Sequence, residues 1–161
     1  MDSILNRTWM YAALLAGLAA LPLASAADEA VRTTLEARKV VLGADGRERF
    51  AAAETAKPGD VIEYVVTSRN TGRETVRDLQ ATLPIPANTE LIEGSARPAG
   101  AKASLDAQRF DYMPLMRGAV RGGRPVVEPV PAREYRYLRW SAAELPAQRS
   151  LTFAARVRVL E

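Results

Sequence analysis

The stretch KPGDVIEYVVTSRNTGRETVRDLQATL, Lys57 to Leu83, decides the fold. Pro58-Gly59 suits the two central positions of a type II turn, because proline presets φ and glycine accepts φ > 0. Ile62, Tyr64 and Val66 then alternate through a run rich in β-branched residues, the period of a half-buried strand. Asn70-Thr71-Gly72 reads as a three-residue hairpin loop, with Gly72 in the left-handed position. Leu79, Ala81 and Leu83 resume the alternation. Two strands leave an apolar face uncovered, so the stretch demands a second layer supplied by the rest of the chain.

The flanks supply it in short pieces. Asp28 to Thr34 reads as a frayed terminus, and Thr34 to Leu42 as a strand with Leu35, Ala37, Lys39 and Val41 on one face. Gly43-Ala44-Asp45-Gly46 reads as a turn; it lacks the spaced ligands of a calcium loop. Arg47 to Thr55 reads as strand or helical turn. Beyond Leu83, Pro84-Ile85-Pro86-Ala87-Asn88 interrupts the sheet, since proline removes ladder donors and Asn88 tolerates φ > 0. Short strands follow at Thr89 to Glu93, Ala101 to Leu105, Gln108 to Tyr112 and Tyr135 to Trp140. Leu145-Pro146-Ala147-Gln148 turns the chain into the clearest alternation of all: Leu151, Phe153, Ala155, Val157 and Val159. Seven or eight short strands without a convincing helix predict an all-β, antiparallel β-sandwich. Its predicted core includes Ile62, Tyr64, Val66, Leu83, Leu138, Trp140, Phe153 and Val157.

The first 26 residues have another character. Arg7 precedes an apolar run from Trp9 to Leu23, and Ala24-Ser25-Ala26 fits the small-x-small cleavage rule. This predicts a helical signal peptide over 1–26, the general secretion route, and a single domain over 27–161 that is periplasmic or extracellular. No transmembrane anchor is expected after cleavage, because the run is short and no stop-transfer segment follows. The chain has no cysteine and no histidine. Disulfides are therefore impossible. Ser-His-Asp and Cys-His catalysis, histidine bases and the usual zinc sites are excluded. No catalytic residues, cofactor or metal are expected, and no carboxylate pair is marked out for glycoside hydrolysis.

The K-P-G-D-x-I-x-Y-x-V of Lys57 to Val66, the N-T-G of Asn70 to Gly72 and the L-P-I-P-A-N of Leu83 to Asn88 carry a resemblance. So do I-E-G-S-A from Ile92 and Y-x-Y-L-R-W from Tyr135. Together they resemble the immunoglobulin-like "conserved repeat" domain of bacterial envelope proteins, domain of unknown function 11, over roughly Val31 to Glu161. The resemblance implies an exported immunoglobulin-like sandwich, often a repeat in large surface proteins, with no catalytic residues to carry over. The chain departs from that family in holding one copy, and in having Ala147-Gln148 where a glycine usually precedes the last strand.

Charge points to one region. Arg117 to Arg139 holds six arginines and two glutamates, net +4, whereas the whole chain is +3. Met113 to Arg133, rich in Gly, Pro and Arg, reads as a long irregular connection, either a solvated insertion or a binding segment. Met113, Leu115 and Met116 add apolar contact area there, and arginine pairs bidentately with carboxylate or phosphate. Tyr135, Tyr137 and Arg139 are expected on one outward face, with Arg156 and Arg158 beside them if the strands pair. The candidate binding residues are Arg117, Arg121, Arg124, Tyr137 and Arg139. The expected partner is a protein of the cell envelope, or else an anionic ligand: polysaccharide, lipid head group or nucleic acid.

Overall fold

The computed structural model describes residues 30–161; the predicted signal peptide lies outside the described residues. The strands in chain order are β1 (Val31–Leu42), β2 (Glu48–Ala52), β3 (Val61–Asn70), β4 (Val76–Pro84), β5 (Thr89–Leu91), β6 (Lys102–Ser104), β7 (Asp111–Tyr112), β8 (Met116–Arg121), β9 (Arg124–Pro129), β10 (Tyr137–Leu145) and β11 (Ser150–Val159). One sheet has the order β2-β1-β3-β11-β5 and a second the order β4-β10-β6-β7. β8 and β9 form a separate two-stranded ribbon. Every strand pair is antiparallel. The fold is an all-β antiparallel sandwich. The strands beyond the expected seven or eight come chiefly from the ribbon, in the stretch read as irregular.

The core lies where the sequence puts it. Ile62, Val66, Phe153 and Val157 of the first sheet face Leu83, Leu138 and Trp140 of the second, all buried. Phe153 stands opposite Val66 in the ladder, and its ring meets Trp140 at 5.4 Å between centroids, tilted by 33°. Trp140 keeps its polar end satisfied by donating from Nε1 to the Pro98 carbonyl at 2.9 Å. Tyr64 is half-buried at the margin. The turn before β3 forms as expected: Gly59 has φ 88°, and Asp60 N–H donates to the Lys57 carbonyl.

The connection after β3 differs from expectation. β3 and β4 belong to different sheets, so Asn70-Thr71-Gly72 is a corner between layers and not a hairpin loop, and Gly72 is absent from the residues with positive φ. The cause is Asn70, which is fully buried. Its Nδ2 donates to the Glu74 carbonyl at 2.7 Å and the Leu145 carbonyl at 2.9 Å, and its Oδ1 accepts from Gly72 N–H at 2.9 Å. These bonds replace the ladder that a hairpin would have made. The other crossing, from β10 to β11, docks on the same corner. Gln148 takes φ 60°, a position that favours glycine, and its Nε2 donates to the carbonyls of Thr71 and Gly72, each at 2.9 Å.

β1 begins at Val31, because residues read as frayed pair with β3 from Val31–Asn70 to Thr34–Thr67. Arg47 to Thr55 divides into a strand and a single 3₁₀ turn, Ala53–Thr55. Asp78 lies inside β4 with φ 53°.

The outer face of the first sheet carries a charged row across three neighbouring strands. Glu63 on β3 stands directly opposite Arg38 on β1 and Arg156 on β11. Arg38 donates to Glu63 Oε2 at 2.6 and 2.8 Å, Arg156 to Oε1 at 2.9 Å, and Arg156 also forks onto Glu48. Burial raises the Glu63 pKa, but the two guanidiniums outweigh it and hold the carboxyl below its ordinary value of 4.5. A carboxylate with a depressed folded pKa contributes stability that is complete above the unfolded value and is lost as pH falls through the folded value. Glu63→Gln should therefore destabilise the fold by about 2 kcal/mol at pH 7, the scale of hydrogen bonds to charged groups. The gap between variant and parent should close as pH falls below 4.5. Denaturant titrations at pH 7 and pH 3 check this; a gap unchanged at pH 3 would show that Glu63 acts by shape and not by charge.

Candidate binding surface

The ribbon is built by the stretch Arg117 to Glu128 around Gly122-Gly123. Gly122 and Gly123 have φ 57° and 77°, both positive, as a two-residue type I′ hairpin loop requires. The flanking residues alternate. Met116, Gly118 and Val120 face one way, opposite Pro129, Val127 and Pro125. That face is wholly apolar and open to solvent: Met116 is 54% exposed, Val120 73% and Val127 72%. The other face carries Arg117, Arg121, Arg124 and Glu128.

The ribbon is tied to the sandwich at its base. Tyr135, the fully buried residue after the 3₁₀ turn Ala132–Glu134, accepts a hydrogen bond at its hydroxyl from Leu115 N–H at 3.0 Å. Val130 N–H donates to the Leu115 carbonyl at 2.8 Å. Met113 and Leu115, expected to add contact area at the surface, pack against the core instead; Met116 alone of the three is exposed. A cleft of about 450 Å³ opens between this base and the β6–β7 loop. Leu105, Tyr112, Met116 and Val130 give it apolar walls, and Arg109 and Arg117 lie among its lining. Leu105 and Tyr112 are exposed. Met116 belongs both to the cleft and to the ribbon's apolar face, so the two surfaces are continuous.

The five sequence-derived residues fall into two groups. Arg117 donates to Glu134 at 2.7 Å and to Glu128 at 3.5 Å; Arg121 forks onto Glu128 at 2.7 and 3.1 Å. The Arg121 hydrogen bond is the main cause holding the Glu128 carboxyl below its ordinary value. Arg124 stands opposite Arg121 beside the glycine loop. None of the ion pairs among the described residues uses Arg109 or Arg124. Tyr137 and Arg139 form the second group, on β10. Arg139 stacks on the Phe110 ring, 3.5 Å from its centroid, and its Nε donates to Thr82 Oγ1 at 3.1 Å. Tyr135 does not share their face; it precedes the strand and points into the core. Arg156 and Arg158 do not adjoin them either, since β11 belongs to the other sheet.

Among the described residues no group of three or more Asp or Glu is placed to hold a metal ion. No described helix is long and apolar enough to cross a membrane. A scan against family models finds no matching family, and searches of curated proteins and of solved structures find no match.

Proposed function

We propose that the protein is an exported, non-enzymatic immunoglobulin-like domain of the bacterial cell envelope that binds or scaffolds another protein. The observation that carries this reading is the ribbon with its adjoining cleft. Its large apolar side chains lie open to solvent beside arginines, and a contiguous apolar patch of that kind marks an interaction surface. The resemblance of the Lys57 to Val66 motif to the conserved-repeat domain supports the envelope setting. Glu48, Asp60, Glu63, Asp106 and Glu128 have pKa values lowered by their hydrogen-bonded partners, which suits these five to ion pairs and turns and not to a general acid working near neutral pH.

A second reading, binding of an anionic envelope ligand, is favoured by Arg109 and Arg124, which enter no ion pair with the described residues. Salt separates the two, because affinity for a polyanion falls steeply as salt rises. The test is a photo-crosslinking residue at Val127 in the native envelope, with one at Glu36 on the remote sheet as control. The protein reading expects a discrete protein adduct at Val127 and none at Glu36. Replacing Arg117, Arg121 and Arg124 together by serine should weaken that adduct and spare thermal stability, since exposed ion pairs contribute about 0–1 kcal/mol each. Equal labelling at both positions would refute the reading.

A further inference from the structure

We infer that the β8 edge of the ribbon is a docking edge for an extended polypeptide segment that alternates apolar and acidic residues. The inference rests on the binding reading above and names its partner.

Hydrogen-bond parity decides which edge is open. In a two-residue hairpin loop the flanking residues, Arg121 and Arg124, form the hydrogen-bonded pair, and alternate pairs follow. The bond from Val130 N–H to the Leu115 carbonyl falls in the same series. The pairs between them, Val120–Pro125, Gly118–Val127 and Met116–Pro129, therefore turn their backbone groups outward. On β9 two of the three outward positions are proline, which has no N–H to offer. On β8 the outward positions are Met116, Gly118 and Val120, each with both donor and acceptor. Edge prolines are how sheets block unwanted pairing. Here they block one edge and leave the other free.

The side chains say what would pair there. A strand added to β8 places alternate residues beside the apolar row of Met116, Gly118 and Val120. A β-carbon added at Gly118 would meet nothing within 4 Å, so that row has a notch for a partner side chain. The intervening residues of the added strand come to lie beside Arg117 and Arg121. Opposite charges across a ladder stabilise it and like charges oppose it. The added residues on that face are thus acidic, a choice reinforced by the ribbon's own charge, three arginines to one glutamate. The same rule argues against a second copy of this chain in the registers that set Arg117 against Arg117 or against Arg121 of the other β8.

The probe is a synthetic octapeptide of alternating valine and glutamate, titrated into the intact domain. Binding is followed by fluorescence anisotropy and by amide exchange at Met116, Gly118 and Val120. The expected result is saturable binding, slowed exchange at those three amides, and at least a tenfold loss with a valine–lysine peptide. N-methylation of the peptide on its β8-facing amides should abolish binding; this control leaves the protein untouched. Gly118→Pro, which removes one outward donor, should weaken binding about as much as a single lost ladder bond while the circular dichroism spectrum stays that of the parent. No saturable binding, equal binding of the N-methylated peptide, equal binding of the lysine peptide, self-association through β8, or binding only to anionic vesicles would each overturn the inference. If the peptide fails while the Val127 adduct forms and responds to the arginine replacements, the docking edge falls and the wider reading stands.

Discussion

Truncating Phe153 to alanine is expected to cost about 3–5 kcal/mol, the range for removing a buried aromatic ring. Phe153 is the hinge of the packing between the two sheets. It stacks beside Val66 in its own sheet and touches Trp140 in the other, with almost no contact with solvent. Its loss opens a cavity against neighbours fixed by two separate ladders, so collapse around the gap is limited. The domain has no disulfide to compensate. A domain this size has a total stability of roughly 5–15 kcal/mol, so the change takes a large fraction of it. Denaturant midpoints of the two proteins measure the effect. A variant within 1 kcal/mol of the parent, on that same scale, would remove Phe153 from the core.

Asn70→Ala is expected to cost about 2–4 kcal/mol, from the penalty of leaving buried polar groups without partners. Three backbone groups lose their bonds at once: the carbonyls of Glu74 and Leu145 and the N–H of Gly72. Asn70→Asp sharpens the test. It keeps the acceptor for Gly72 but turns an acceptor-only carboxylate toward two carbonyls. It should be no more stable than the alanine variant at pH 7, and should recover in acid once the carboxyl is protonated. If both variants match the parent, solvent has taken over the corner and the buried amide is not what holds it.

Much of this fold was legible before the structure. The alternation of Ile62 to Val66 and of Leu151 to Val159 marked the central strands, because a sheet with one buried face must alternate. Pro58-Gly59 marked the turn, since few other pairs accept its dihedral angles. Asn70-Thr71-Gly72 misled for a reason of chemistry. The same three residues serve a hairpin or a corner between sheets, and only burial of the amide separates them. The ribbon was missed because Met113 to Arg133, rich in Gly, Pro and Arg, read as an irregular connection, with Pro125 to Pro131 allowing at most a short edge strand. Proline breaks a ladder where its nitrogen would donate, and at Pro125 and Pro129 the nitrogen points away from the partner strand. Gly122-Gly123 was the available signal, set between alternating residues. The arginines were recognisable as a cluster, but not their partners: nothing in spacing shows that Arg121 holds Glu128, or that Arg156 lies across the sheet from Glu63 and away from Arg139.

The order of the first sheet has a mechanical consequence. β1 and β11 both pair antiparallel with β3 and so run parallel to each other, one on each side of it. The start of β1 lies beside Asn70 and the end of β11 beside Val61, at opposite ends of that central strand. A pull applied through Ala30 and Glu161 runs along the strands, at right angles to their hydrogen bonds. It would load the ten residue pairs of one ladder and the nine of the other together in shear, rather than peel them apart one at a time. A tether anchored through these two ends would resist tension with its whole central sheet, while the ribbon, outside the line of force, would keep its shape and its free edge under load.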